Sequence, residues 1–224
     1  MLKVFYLKIT EMGIQAVLND RTAVYVSEDT FRTAMSYRNA KSRFTRLTGE
    51  LMINYLLRRY YHLNRTDFKI MRQEHGKPCL TGVENIYYNI SHSGDYIVCA
   101  LADTEVGIDI EKNAVARLAV ARRFFHPQEL GQLEKLEETG RNDLFFTYWS
   151  VKESFLKYTG SGLTRSLSSF YADVPEGFAI YEAGHRVPVV IRPCGIDPGY
   201  ACYVCSTQDV VPDVMPLTVA DLLS

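Results

Sequence analysis

Apolar residues change period several times along this chain, and each change marks an element. Leu2, Val4, Phe5, Tyr6 and Leu7 crowd the first eight residues and predict a strand. Between Lys41 and Tyr61, Phe44, Leu47, Leu51 and Tyr55 recur at steps of three and four, the spacing of a long helix. Strand-like runs follow at Phe68 to Arg72, Ile86 to Ile90 and Tyr96 to Leu101. A second group opens with a strand from Val106 to Ile110 and a helix from Ala114 to Phe125. His126-Pro127-Gln128-Glu129 reads as another helix start, with Pro127 near the first helical position. From Asn142 to Thr159, Leu144, Tyr148, Val151, Phe155 and Tyr158 form one apolar stripe that predicts the second long helix. Gly160-Ser161-Gly162 ends it. Phe170 to Ser206 alternates as strands do, with turns at Pro175-Glu176-Gly177, Gly184 and Asp197-Pro198-Gly199.

Two groups that each mix a long helix with mostly antiparallel strands give an α+β reading. The boundary falls near Asp103-Thr104-Glu105, dividing the chain into lobes 1–104 and 105–224. Nothing there resembles a flexible linker, so the lobes are expected to pack tightly with the ligand cleft between them.

Composition narrows the function. Hydrophobic residues make up 47% of the 224, enough for a sizeable core. With 25 basic against 26 acidic residues the net charge is −1, so no global field draws in nucleic acid or an anionic membrane. Recognition of phosphate must then rest on locally placed Lys and Arg. The first apolar run is too short for a signal peptide, and no stretch approaches the roughly 18 apolar residues of a membrane span. Five cysteines, Cys79, Cys99, Cys194, Cys202 and Cys205, are scattered through apolar segments, which suits reduced thiols in a cytoplasmic protein. Cys202 and Cys205 form a CxxC, but on a strand they face opposite ways and no second ligand pair accompanies them, so core thiols are expected.

Four stretches carry candidate chemistry. In Val106-Gly107-Ile108-Asp109-Ile110-Glu111 the apolar residues take one face of a strand, and Gly107, Asp109 and Glu111 take the other. Two carboxylates sharing a face suit Mg2+, although a half-exposed strand with solvated acids has the same pattern. In Trp149-Ser150-Val151-Lys152-Glu153-Ser154-Phe155-Leu156-Lys157, Glu153 and Lys157 are an i, i+4 pair. Alone they read as a surface salt bridge, yet the chain's one Trp lies a turn before Glu153 on the same side and implies a covered face. Asn89-Ile90-Ser91-His92-Ser93-Gly94 reads as a turn rich in hydroxyls, with an imidazole and a glycine. Ser91 stands in no GxSxG elbow, which argues against a serine hydrolase. Glu74-His75-Gly76-Lys77-Pro78 reads as a loop bearing one phosphate-seeking charge.

Taken in order, Gly76-Lys77-Pro78, Asn89 to Gly94, Gly107 to Glu111, Arg123-Phe124-Phe125 with Glu129, and Trp149 to Ser154 with Lys157 resemble the Sfp-type 4′-phosphopantetheinyl transferases. The resemblance implies a pseudo-dimer of two similar α+β lobes with coenzyme A between them. It implies Mg2+ on Asp109, Glu111 and Glu153, a nucleotide pocket lined by Lys77, Pro78, Ser91 and His92, and Lys157 on the pyrophosphate. Glu153 and Lys157 would be the catalytic pair, and the acceptor a serine of an apo acyl or peptidyl carrier protein. The arginine that the family places early in its first long helix would fall at Thr45 here, and Arg46 beside it is the nearest candidate, with Arg43 on the other side. The alternative is a metal-dependent phosphohydrolase that turns the same carboxylates on coenzyme A or a related nucleotide, with water as nucleophile.

Overall fold

The computed structural model describes residues 1–174 and 177–224. Of the turn expected at Pro175-Glu176-Gly177, Pro175 and Glu176 lie outside the described residues. The first half runs β1 (Leu2–Lys8), α1 (Glu11–Val17), α2 (Glu28–Ser36), α3 (Ala40–Tyr61), β2 (Lys69–Arg72), β3 (Pro78–Thr81), β4 (Tyr87–Ser93) and β5 (Tyr96–Ala102). The second half begins with β6 (Val106–Lys112), α4 (Leu118–Phe124), α5 (Pro127–Leu133) and α6 (Glu138–Thr159). It continues through β7 (Phe170–Asp173), β8 (Ala179–Glu182), β9 (His185–Arg186), β10 (Val190–Pro193), β11 (Tyr200–Ser206), β12 (Asp213–Leu217) and α7 (Val219–Leu222).

The result is an α+β fold of two lobes, each with a 22-residue helix lying on a mostly antiparallel sheet. The first sheet has the order β12-β1-β5-β4 and the second β10-β11-β6. Alternation along the strands builds the layers. Phe5, Leu7, Ile97, Cys99 and Leu101 face α3 and meet Phe44, Leu47 and Leu51. Their neighbours Val4, Val98 and Ala100 face the other way, against Val106, Ile108, Ile110, Cys202 and Val204 of the second sheet. On the far side of that sheet Cys205 packs with Tyr148, Val151 and Phe155 of α6. Cys202 and Cys205 thus sit on opposite faces, both buried, and all five cysteines are free thiols, with Cys79 only half-buried.

Each long helix has a reason to start and stop. The Asn39 side chain accepts from the Ser42 amide at the head of α3. Gly160, in the left-handed region at φ 69°, closes α6. At α5 the expected start is realised as a capping box. The His126 ring accepts from the Gln128 amide, and Glu129 Oε2 accepts from the His126 amide at 2.9 Å.

Two boundaries differ from the sequence reading. Helix α4 begins at Leu118 and not Ala114, because the chain before it is held extended, with the Ala116 amide donating to Asn142 Oδ1. Residues 213–222, expected in the second lobe, return to the first. There β12 pairs in parallel with β1, and Leu222 enters the core of α3. That pairing covers what would otherwise be an open edge of β1. Among the described residues no helix is long and apolar enough to cross a membrane.

Lys152 fixes the second lobe from inside. It is fully buried, donates to both Glu129 oxygens at 2.6 and 2.9 Å, and donates to the Phe170 carbonyl at 2.6 Å. Glu129 also accepts from the Ala172 amide, so one ion pair joins α6, α5 and β7. Burial pulls the Lys152 pKa down, while the Glu129 charge opposes that pull. Truncating one partner strands the other charge. Lys152→Ala is expected to destabilise the protein by about 3–5 kcal/mol, measured by denaturant unfolding.

Candidate active site

The site forms where β6 runs under α6. A Cβ at Gly107 would collide with the Ser154 carbonyl and the Tyr158 amide, so only glycine lets strand and helix backbones approach this closely. One turn earlier on the helix, Ser150 Oγ donates to the Asp109 carbonyl at 3.0 Å and fixes the register of the crossing. Val106, Ile108 and Ile110 anchor the strand between the sheets, which turns Asp109 and Glu111 toward the helix that carries Trp149, Glu153 and Lys157.

Strand β4 runs beside β6 in the same direction and joins it through side chains. Asn89 Oδ1 accepts from the Ile108 amide at 2.9 Å, and Ser93 Oγ accepts from the Lys112 amide at 3.1 Å. This corrects the reading of Asn89 to Gly94 as a turn. The strand continues through Ser93, and only Gly94 and Asp95 turn. The alternation of polar Asn89, Ser91 and Ser93 with apolar Tyr88 and Ile90 is a strand signal, and β6 satisfies the polar side.

These elements enclose a pocket of about 260 Å³ lined by Ile90, Ser91, His92, Asp109, Glu111, Trp149, Glu153 and Lys157. Lys157 Nζ donates to Asp109 Oδ1 at 2.6 Å and to Ser91 Oγ at 2.8 Å. Ser91 Oγ also donates to Asp109 Oδ1, and Ser93 Oγ donates to Glu111 Oε2 at 2.8 Å. Asp109 Oδ2 is buried with no donor. The Glu153 carboxylate makes no hydrogen bond among the described residues. Trp149, stacked on Phe145 and tilted against Phe125, makes the pocket wall.

The acids feel one another. Burial, then the Asp109 charge, raises the pKa of Glu111 and of Glu153, and Lys157 lowers both. Burial, and then the Lys157 ammonium, lowers the His92 pKa and favours its neutral ring. Among the described residues no three histidine, cysteine or acidic side chains are assembled into a metal-holding group. The Lys157 ammonium supplies the positive charge beside Asp109, and Ser93 holds Glu111.

Ile90 and His92 also line an open cleft of about 1270 Å³ in the first lobe. Arg46 and Pro78 border this cleft, and Lys41, Arg65, Lys69 and Arg72 give it positive charge against Asp29 and Glu50. Arg46 is steadied by Thr30 Oγ1, to which its Nη2 donates at 3.0 Å, whereas Arg43 turns away to the Tyr37 carbonyl. The structure thus gathers Arg46, Pro78, Ser91, His92, Asp109, Glu111, Glu153 and Lys157 around one continuous depression. Lys77 lines neither part of it. Lys69 and Arg72 carry no local signal of this placement, because a short strand of alternating polarity does not say what lies across from it.

A family model described as the 4′-phosphopantetheinyl transferase superfamily matches residues 105–187, and one described as the N-terminal part of a 4′-phosphopantetheinyl transferase matches residues 20–104. The 4′-phosphopantetheinyl transferase ffp of Bacillus subtilis is 32% identical over 87% of this chain and 88% of its own. The 4′-phosphopantetheinyl transferase Sfp of Bacillus subtilis strain 168 is 31% identical over 92% of this chain and 93% of its own. The chain belongs to the 4′-phosphopantetheinyl transferase family. Among solved structures, the holo-[acyl-carrier-protein] synthase of Thermotoga maritima superimposes with a TM-score of 0.34 at 17% identity, over 46% of this chain and 61% of that one, a likeness too low to carry an argument.

Raised carboxyl pKa values in this transferase have a sign that stability reveals. The folded protein holds the Glu111 and Glu153 protons to higher pH than the unfolded chain does. Their contribution to stability therefore falls as pH climbs from the ordinary carboxylate range through the raised values. Glu153→Gln is expected to match the ligand-free wild type in melting temperature near about pH 4 and to exceed it near about pH 7.5. Melting curves across that range check it.

Proposed function

We propose that this chain moves the 4′-phosphopantetheine group of coenzyme A onto a serine of an apo acyl or peptidyl carrier protein, with a divalent cation, Mg2+ by its ligand preference, as cofactor. The observation that carries the reading is the convergence of Asp109, Glu111, Glu153 and Lys157 in one pocket that opens into a basic cleft. Family membership supplies the substrate class. The acceptor brings its own nucleophile, which accounts for a site with basic and acidic groups but no activated serine or cysteine.

The donor types suit a hard cation, once Lys157 leaves Asp109 and the three carboxylates close on it. Asp109 Oδ2 is a buried carboxylate oxygen without a donor, a costly state that a metal ion relieves. Asp109, Glu111 and Glu153 offer oxygen ligands of the kind Mg2+ takes. When bound there, the ion supplies charge neutralisation at the pyrophosphate.

The chain's own groups do the rest. Arg46 and His92, which both line the cleft, would hold the 3′-phosphate, with Pro78 against the nucleotide. Ser91, already bonded to Lys157, lines the pocket between Ile90 and His92, which border both pocket and cleft. The carrier serine oxygen attacks the β-phosphorus, the bond to the departing 3′,5′-ADP breaks, and the serine proton passes to Glu153. A carboxylate that makes no hydrogen bond, with a pKa raised by burial, suits that role better than one tied by donors. Lys157 offsets the charge growing on the α-phosphate of the departing 3′,5′-ADP, which it reaches by exchanging Asp109 Oδ1 for phosphate oxygen.

Glu153→Gln and Asp109→Ala are expected to abolish transfer while circular dichroism and melting show a folded protein. Transfer retained at saturating Mg2+ removes that residue from the mechanism. Lys157→Ala should lower kcat by about 10²–10³-fold and weaken coenzyme A binding far less. Binding loss alone would make it a docking residue. The reaction class is tested by mixing the protein, Mg2+ and coenzyme A with and without an apo carrier. Mass gain on the carrier serine and 3′,5′-ADP only in its presence support transfer, whereas carrier-independent release of 3′,5′-ADP supports hydrolysis.

A further inference from the structure

Lys77 comes from the first lobe, in the turn between β2 and β3, and its ammonium ends inside the second. Nζ donates to Glu105 Oε2 at 2.6 Å, to the Tyr158 carbonyl at 3.0 Å and to the Val106 carbonyl at 3.2 Å. Three acceptors use the three donors of an ammonium, and the side chain is only 8% exposed. Nothing is left with which to grip a phosphate.

The acceptors are the two sides of the β6–α6 crossing. Val106 immediately precedes Gly107, and the Tyr158 amide is one of the atoms that a Cβ on Gly107 would strike. Tyr158 follows Lys157, and its carbonyl lies in the last turn of α6, where carbonyls lack helical donors and attract positive charge. The aliphatic stem runs beside Gly160, whose Cα would place a Cβ 3.5 Å from Lys77 Cδ. The turn that carries Lys77 is closed on itself, the Gln73 amide donating to the Lys77 carbonyl at 2.9 Å.

We propose that Lys77 is a positioning residue that clamps the C-terminal turn of α6 onto the start of β6. It thereby sets Lys157 and Glu153 over Asp109 and makes the catalytic geometry of one lobe depend on a side chain from the other. The proposal rests on the transferase reading and replaces a contact of the Lys77 ammonium with coenzyme A by action at a distance.

Steady-state transfer assays on wild type, Lys77→Met, Lys157→Ala and the double variant test it, with kcat expressed per folded molecule from unfolding curves. Wild-type transfer is the control for the underlying reading, and its absence would sink that reading whatever Lys77 does. For Lys77→Met, kcat is expected to fall about 10–100-fold, as small misplacement of reacting groups does, while KM for coenzyme A moves less than about threefold. In the Lys157→Ala background the same change should cost markedly less, since part of its effect passes through Lys157. A raised KM with kcat kept would make Lys77 a ligand of the coenzyme, and full additivity would make it merely structural. Either overturns the proposal, as does an unchanged kcat. If Lys77→Met does not fold, Glu105→Gln decides. Its side chain is partly exposed, so the fold is expected to hold, with a smaller fall in kcat, about twofold to fivefold, at constant KM. No fall in kcat would again refute the clamp.

Discussion

The close approach of β6 to α6 at Gly107 governs the rest of the molecule. Packed layers are ordinarily held apart by the side chains that fill the space between them, about 10 Å for stacked sheets. Here one missing Cβ lets the helix backbone settle on the strand, and Ser150 locks the register through the Asp109 carbonyl. Once that contact is made, the positions of Asp109, Glu111, Glu153 and Lys157 follow from helical and strand geometry. A looser crossing would leave the same residues on the same elements without a shared pocket.

Neighbouring residues of α6 show how the helix divides structure from chemistry. Lys152 and Glu153 are adjacent, yet about 100° of rotation sends one into the core and the other to the pocket. Lys152 meets Glu129 in a fully buried, fully satisfied pair. Lys157, on the pocket side, meets Asp109 with one carboxylate oxygen still unpaired, and Glu153 is left without a donor. A satisfied pair rigidifies, whereas an unsatisfied group costs stability that only a ligand recovers. The contrast between the two Lys–carboxylate pairs separates scaffold from site more sharply than residue type does.

Much of this was legible in the chain. The two long helices, the alternation that turns Asp109 and Glu111 to one face, and the implication of Trp149 that Glu153 is covered all come from local periodicity. The role of Gly107 was half legible, since glycine beside two acids signals room but not what fills it. Three features were out of reach for physical reasons. Asn89 to Ser93 alternates as a strand does, but the partner that satisfies its polar side, β6, is supplied only by tertiary packing. The return of β12 to β1 is a contact between the two ends of the sequence. Lys77 has the type and context of a phosphate ligand, and only tertiary packing shows that its three donors are already spent.

The same reasoning explains why the site lies between lobes and not within one. Two sheets packed face to face bury their shared surface in apolar side chains, and polar groups are tolerated only where that surface runs out. At this edge β4 meets β6 through side-chain hydrogen bonds in place of a ladder. The first lobe contributes Ser91, His92 and the basic cleft, and the second contributes the acids and Lys157. Neither half alone juxtaposes positive cleft and negative pocket. On the proposed reading, a substrate with phosphates at both ends of a nucleotide needs both at once, and packing of the lobes becomes a condition of recognition.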